Sequence, residues 1–442
     1  MKDCISAIST ARGTGGVGII RLSGENSVEI AEKMFKGKIK VANFEPYKLY
    51  VGQIDAGDFF DFGMCVYFKG PKSYTGEDMV EFHCHGGIAI TEGILKQTFK
   101  LGARPATNGE FTKRAFLNGK LSLSSCEGLI DMINGETQME AKCGFYLYRE
   151  RLLNNIIAQQ DVLTNILAQI NVDIDYPEED VPNADSSLIL QRLNEVLTNL
   201  ENLSATFENA SKVKNGVKVA IVGKPNAGKS SLLNALLGSD KAIVTSIEGT
   251  TRDVVEGSIE INGVKFTLFD TAGIRESSDE VEKIGIERSL KAIENADISV
   301  HLIDAKNGFD LQDEVIAKKI EKFNHITVLN KNDIADIEGD FDLKISAKEN
   351  YNISAFKGLL FDKAHLQTIG FDGDFITEER HYYAICDAIN YIKSAINNVN
   401  FMPLDVITID IREAWHKLGL ISGSTCDSAV IDEIFAKFCV GK

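Results

Sequence analysis

Nowhere in its 442 residues does the chain hold an apolar run near the roughly 18 residues of a membrane-spanning helix, and Met1 to Ser6 lack a signal-peptide core. A cytoplasmic protein without a membrane anchor is therefore expected. The eight cysteines, at positions 4, 65, 84, 126, 143, 386, 426 and 439, include no C-x-x-C and no paired spacing, so they read as reduced thiols. His83 and His85 fall on one strand face but offer only two ligands, and no matching pair follows. Basic residues are also scarce. Against 64 acids stand 47 lysines and arginines, and the net charge of −17 opposes nonspecific binding to phosphate. Any contact with nucleic acid must then use local patches or a partner. Proline is missing from Leu121 to Asp175, where Tyr146, Leu152, Ile156, Leu163 and Ile166 recur at helical spacing; long helices are predicted there.

What is present is a phosphate cradle. Gly223 to Ser230 reads G-x-x-x-x-G-K-S, in which glycines let backbone N–H groups turn onto phosphate oxygens, Lys229 meets the terminal phosphates and Ser230 offers a magnesium ligand. The β-branched run Val217 to Val222 before it predicts a strand, and Ser231 to Leu237 after it a helix. Asn330-Lys331-Asn332-Asp333 follows the apolar run Ile326 to Leu329 and resembles the N-K-x-D guanine reader of the GTPase superfamily, with Asp333 placed to accept from guanine N1–H and its 2-amino group. Ser346-Ala347-Lys348 resembles the superfamily's last guanine-contacting loop. Asp270-Thr271-Ala272-Gly273 ends a further strand as a D-x-x-G element: Asp270 can reach magnesium through water and Gly273 the γ-phosphate. Asn262-Gly263 predicts a two-residue hairpin leading into it. Gly249 to Asp253 reads as the first switch, with Thr251 as a second magnesium hydroxyl.

One element is missing from this set. Ras-like enzymes place a water-orienting glutamine just after D-x-x-G, but here Ile274, Arg275 and Glu276 follow. Catalysis must recruit a polar group from elsewhere, together with positive charge against the β- and γ-phosphates.

Asn226, Thr245 to Asp253 and Asp279 to Arg288 resemble the MnmE (TrmE) family of tRNA-modification GTPases. So do Gly15 to Arg21, Tyr74 to Asp78, His85-Gly86-Gly87, Gly109 to Thr112, Asp175 to Asp180 and Phe438 to Lys442, so the resemblance spans the chain. It implies nucleotide contacts from Gly223, Asn226, Ala227, Gly228, Lys229, Ser230 and Ser231. Further contacts come from Thr245, Ser246, Ile247, Glu248, Gly249, Thr250 and Thr251, from Asp270, Thr271, Ala272 and Gly273, and from Asn330, Lys331, Asp333, Ser346, Ala347 and Lys348. Magnesium falls to Ser230 and Thr251, and potassium to Asn226, Thr245, the Ile247 carbonyl and Thr250, in a site closed by dimerisation. Asn226 by itself equally suits the turn after Pro225. The water-positioning acid matches Glu282, which without the family pattern is a solvated acid on an exposed helix.

The resemblance further implies a homodimer that joins the FAD-containing flavoprotein MnmG in a heterotetramer. Together they install an aminomethyl or carboxymethylaminomethyl group at carbon 5 of the wobble uridine of tRNA. The one-carbon unit comes from 5-formyl- or 5,10-methylene-tetrahydrofolate, contacted by Arg21, Glu77, Lys120 and Lys442. Cys439 in the C-x-G-K tail is a candidate reactive thiol. An alternative is a GTP-dependent RNA or ribosome assembly switch, which usually carries basic appendages that this acidic chain does not show.

The expected fold class is α/β and multidomain. A small N-terminal α/β folate-binding domain (1–118) precedes a helical domain (119–215 and 371–442), into which a P-loop Ras-like α/β GTPase domain (216–370) is inserted. Ser211 to Gly216 reads as the linker into that domain.

Overall fold

The computed structural model describes residues 3–175, 186–238, 242–243, 255–270, 293–366 and 374–442. They form two compact units. The first comprises Met1–Ile130, Tyr146–Thr164 and Arg412–Lys442; the second comprises Asp131–Phe145 and Asn165–Ile411.

The first unit is built on a seven-stranded sheet. Its strands are β1 (Ile5–Ile8), β2 (Gly15–Ser23), β3 (Phe35–Gly37), β4 (Leu49–Asp55), β5 (Phe60–Phe68), β6 (Met79–Gly86) and β7 (Arg104–Pro105). The order is β3-β4-β5-β6-β2-β1-β7, antiparallel except for the β1–β7 pair. Gly18, Ile20 and Leu22 alternate onto the buried face of β2, as the two-residue period of a strand requires. Helix Ser27–Met34 buries Ile30, Ala31 and Met34, and helix Ile88–Lys100 buries Thr91, Ile94 and Thr98, so each closes the same core with one stripe. Each large apolar side chain buried there stabilises the unit by about 1.5–3 kcal/mol.

The proline-free stretch is helical as its spacing predicts, and Arg151–Asp175 is a long helix of 25 residues, but two breaks precede it. The stretch forms three helices, Leu123–Asn134, Gln138–Tyr148 and Arg151–Asp175. The first break is at Gly135, where a Cβ would lie 2.9 Å from Ala141 N. The second is at Glu150, whose φ of 60° is held by a hydrogen bond from Ser125 Oγ to its carboxylate (2.8 Å). Apolar spacing carried through both breaks, so periodicity alone did not reveal them. Leu123 and Cys126 pack with Ile434, Phe435 and Phe438, which fixes the last helix (Ser428–Ala436) in the first unit.

The second unit carries the other sheet. Its strands are β8 (Val217–Val222), β9 (Ala242–Ile243), β10 (Val255–Ile261), β11 (Val264–Asp270), β12 (Ile298–Asp304), β13 (His325–Asn330) and β14 (Leu343–Lys344), in the order β14-β13-β12-β8-β11-β10-β9. From β14 to β11 all pairs are parallel. All seven residues of β12 are buried, as expected of a strand covered on both faces. The β10–β11 hairpin turns where predicted: Ile261 pairs with Val264, and Asn262 (φ 51°) and Gly263 (φ 84°) take the left-handed values of a type I′ turn.

The helices flanking this sheet in sequence pack together. Phe207 stacks on Tyr382 with ring centroids 4.3 Å apart, and Lys393 pairs with Glu201 at 2.7 Å. The segment expected as a linker is instead helical: Phe207–Asn215 is one helix, with Val213 in the core of the β8 sheet, and only Gly216 (φ 79°) makes the joint. Its lysines and asparagine read as loop residues, but Lys214 is held between Asp131 (2.9 Å) and Glu378. No helix among the described residues is long and apolar enough to cross a membrane.

Candidate functional site

The parallel order brings the ends of β8, β11, β12 and β13 to one edge of the second sheet, where ligands bind in open α/β folds. The phosphate loop leaves β8 there and leads into the N-terminus of helix Lys229–Gly238. Two glycines make it possible. Gly223 passes Leu302 O so closely that a Cβ would lie 2.4 Å from it; at Gly228 (φ 97°) a Cβ would lie 2.2 Å from Asn330 Nδ2. Asn226 is exposed and takes φ 64° at the turn. Lys229 is buried to 6% exposure and folds over the loop, donating to Gly223 O (2.7 Å) and Lys224 O (2.9 Å). Ala227 is buried, while Ser230 and Ser231 are exposed on the first helical turn.

The guanine motif is fastened to this loop. Asn330, 1% exposed at the end of β13, donates from Nδ2 to Ala227 O (2.9 Å) and accepts Ala347 N at Oδ1 (3.0 Å). Lys331, at φ 65°, donates to Asn226 O (2.7 Å). Asp333 stands exposed, its Oδ1 taking a hydrogen bond from Ser346 Oγ (2.6 Å), which in turn accepts Glu349 N (3.2 Å). Lys348 is exposed beside Glu349 (3.6 Å). A carboxylate aimed by a buried serine hydroxyl suits the paired donors of a guanine edge.

Sequence reasoning missed Asp304. It ends β12 at the same edge as Asp270 ends β11, and pairs with Lys331 Nζ at 2.8 Å. Burial opposes its charge, but Lys331 and the Lys306 amide overcome that and hold its carboxyl below the usual range. An acid closing a strand that is otherwise mostly apolar was a legible signal. Asp270 closes β11; Thr245, Ser246, Ile247, Glu248, Gly249, Thr250, Thr251, Thr271, Ala272, Gly273 and Glu282 lie outside the described residues.

In the first unit, Arg21, Glu77 and Lys120 border the loop 73–78. The Arg21 guanidinium lies over the rings of Tyr74 (5.4 Å) and Phe111 (5.5 Å) and pairs with Glu81 at 2.8 Å. Glu77 accepts from Ser23 Oγ (2.7 Å) and pairs with buried Arg114 (3.0 Å), and Lys120 donates to Pro71 O (3.0 Å). The 438–442 segment comes to the same sheet. Asn108 bridges to Val440, and a Cβ on Gly441 would lie 2.1 Å from Ile8 O, one residue from Ala7, the strand partner of Arg21. Lys442 N donates to Cys439 O (3.4 Å); Cys439 is exposed. His83 and His85 pair with Glu81 (3.2 Å) and Asp61 (2.7 Å), and no group of three or more metal-ligating side chains occurs among the described residues.

A parallel sheet with a G-x-x-x-x-G-K-S loop on one strand end and N-K-x-D on another, joined through Asn330 and Lys331, defines a P-loop guanine-nucleotide-binding protein. Family models agree: the N-terminus of GTP-binding protein TrmE matches residues 4–120 and the MnmE helical domain residues 123–439. The tRNA modification GTPase MnmE of Acetivibrio thermocellus is 39% identical over 456 residues, covering 100% of this chain and 99% of its own. That of Thermosipho melanesiensis is 39% identical over 446 residues, with 100% of both chains covered. The chain belongs to the MnmE family of tRNA modification GTPases. It is a GTP hydrolase whose N-terminal α/β domain and helical domain accompany a P-loop domain.

Proposed function

We propose that this GTPase is activated by potassium and, with the FAD-carrying flavoprotein MnmG, installs aminomethyl or carboxymethylaminomethyl groups at carbon 5 of the wobble uridine of tRNA. The one-carbon unit comes from 5-formyl- or 5,10-methylene-tetrahydrofolate. The observation that carries the reading is full-length similarity to tRNA modification GTPases in a chain whose phosphate loop and guanine motif are tied together by Asn330 and Lys331. Domains at 1–118, 119–215 with 371–442, and 216–370 belong to the same reading, as do a homodimer, a heterotetramer with MnmG and a cytoplasmic setting.

Each residue has a role in it. Lys229 meets the terminal phosphates and Asp333 selects guanine. Ser230, exposed on the first turn beyond the loop, fits magnesium and would hold it with Thr251; the ion supplies charge against the β- and γ-phosphates. Asn226, its carbonyl pinned by Lys331, fits potassium with Thr245, Ile247 and Thr250, and potassium there supplies the charge an arginine finger gives elsewhere. Glu282 orients the attacking water through a chain of waters, since Ile274 has no polar group. Arg21 sits on aromatic faces and Lys120 beside the same loop, offering cations to a folate glutamate tail; Glu77 would meet the pterin, and Cys439 and Lys442 lie on the tail that comes to the same sheet.

Mass spectrometry of wobble uridines from cells lacking the protein tests the conclusion, with loss of the carbon-5 group expected. Intact modification refutes it. GTP turnover in matched potassium and sodium salts tests the ion, and equal rates remove potassium from the account.

A further inference from the structure

Lys224, the residue after Gly223, does not point toward solvent as a phosphate-loop lysine of no special role would. Its side chain is 10% exposed, and its ammonium sits between Asp313 Oδ2 (2.6 Å) and Asp310 Oδ2 (2.8 Å). Both aspartates belong to the start of helix Leu311–Ile320, where they form a capping box: Asp310 takes the amides of Gln312 and Asp313, and Asp313 takes the amide of Asp310. The cap is complete without Lys224. Asp313 is nonetheless a wholly buried carboxylate, with its other oxygen 3.5 Å from buried His301 Nε2, and a buried carboxylate is costly without a counter-charge.

The clamp acts on the backbone that holds Lys229. Lys229 Nζ has two carbonyl acceptors in the loop, Gly223 O and Lys224 O. Residue 223 is pressed against Leu302 O of β12, and residue 224 is tied by its side chain to the helix that follows β12. The direction of the Lys229 ammonium is thereby referred to a rigid strand–helix pair.

We propose that Asp313, assisted by Asp310, is a positioning residue for GTP turnover: it clamps Lys224 and so sets the carbonyls that aim Lys229. This rests on Gly223 to Ser230 being the phosphate loop. A displacement of about 1 Å at such a group lowers turnover by up to ~100-fold, so a partial loss of the clamp is expected to lower kcat about 10-fold. Affinity for GDP, carried by backbone N–H groups and the guanine motif, changes less.

The test uses the full-length chain and compares Lys224→Met, Asp313→Asn, the double variant and Lys224→Arg, with GTP turnover, GDP affinity and GDP stoichiometry as readouts. Each single change is expected to lower kcat about 10-fold at a stoichiometry near that of the parent. Lys224→Arg, which keeps the charge, recovers most of the loss, and the double variant is no worse than the worse single one. Unchanged kcat in Lys224→Met, failure of Lys224→Arg to recover activity, or additive losses would overturn the proposal. If Asp313→Asn does not fold, Lys224→Met and Lys224→Arg decide alone. Lys229→Ala separates the two levels: retained turnover there sinks the phosphate-loop reading, whereas its loss beside an unaffected Lys224→Met sinks only the clamp.

Discussion

Lys214→Met removes a cation held between two carboxylates, Asp131 and Glu378, with side-chain exposures of 16, 13 and 20% for the three groups. Burial, and after it the charge of Glu378, pushes Asp131 up to about 8, so at neutral pH it is mostly protonated and the lysine chiefly balances Glu378. Deleting one partner of a buried ion pair costs about 3–5 kcal/mol; the low end applies here, because Glu378 keeps some access to water. Asp131→Asn replaces a mostly neutral carboxyl by an amide that needs no proton uptake to stay neutral, so at pH 7 it is expected to leave stability unchanged or raised. A folded pKa above the ordinary 3.8 means that the native state binds the extra proton. That stability is full below pH 4 and is lost as pH rises through about 8, at up to ~1.4 kcal/mol per unit. Asp131→Asn abolishes this slope. Urea unfolding followed by far-ultraviolet circular dichroism measures both effects. Trp415, the sole tryptophan, lies in the other unit and reports on that unit as an internal control. A loss below about 1 kcal/mol for Lys214→Met, or an equal loss for Asp131→Asn, would refute the reasoning.

Three further outcomes are expected. Gly228→Ala forces a Cβ to within 2.2 Å of Asn330 Nδ2 at a φ of 97° and should weaken GTP binding about 100-fold by calorimetry; near-parental affinity contradicts the close approach. Asp304→Ala frees Lys331 from its anchor and loosens its hold on Asn226 O, raising the dissociation constant for GDP about 10-fold in a fluorescent-nucleotide assay, and an unchanged constant removes Asp304 from the site. Glu282→Ala should abolish most hydrolysis in potassium buffer with nucleotide affinity near the parent's; undiminished turnover rejects Glu282.

Much of the nucleotide edge was legible because its parts are short, contiguous and chemically obligatory. Gly223, Gly228 and Lys229 announce a phosphate loop by spacing alone, the apolar runs before the loop and before Asn330 announce the strands that carry them, and Asn262-Gly263 announces the hairpin. The helical regions were legible as helices but not in their breaks: Gly135 and Glu150 interrupt an unbroken apolar rhythm, and Ser211 to Asn215 reads as a linker although Val213 is buried.

Charge partnerships were decided by the tertiary structure. Lys331 meets Asp304, Lys224 meets Asp313, and Lys214 meets Asp131 and Glu378 across separations of 27 to 164 residues. No local pattern encodes such pairs, because an acid and a base of ordinary type become specific to one another only when packing removes water from around both. By itself the sequence determined which ligand chemistry the chain offers, since phosphate and guanine demand particular neighbours in order. Which lysines are free to act and which are held in place follows from how strands and helices stack, and that was settled only in three dimensions.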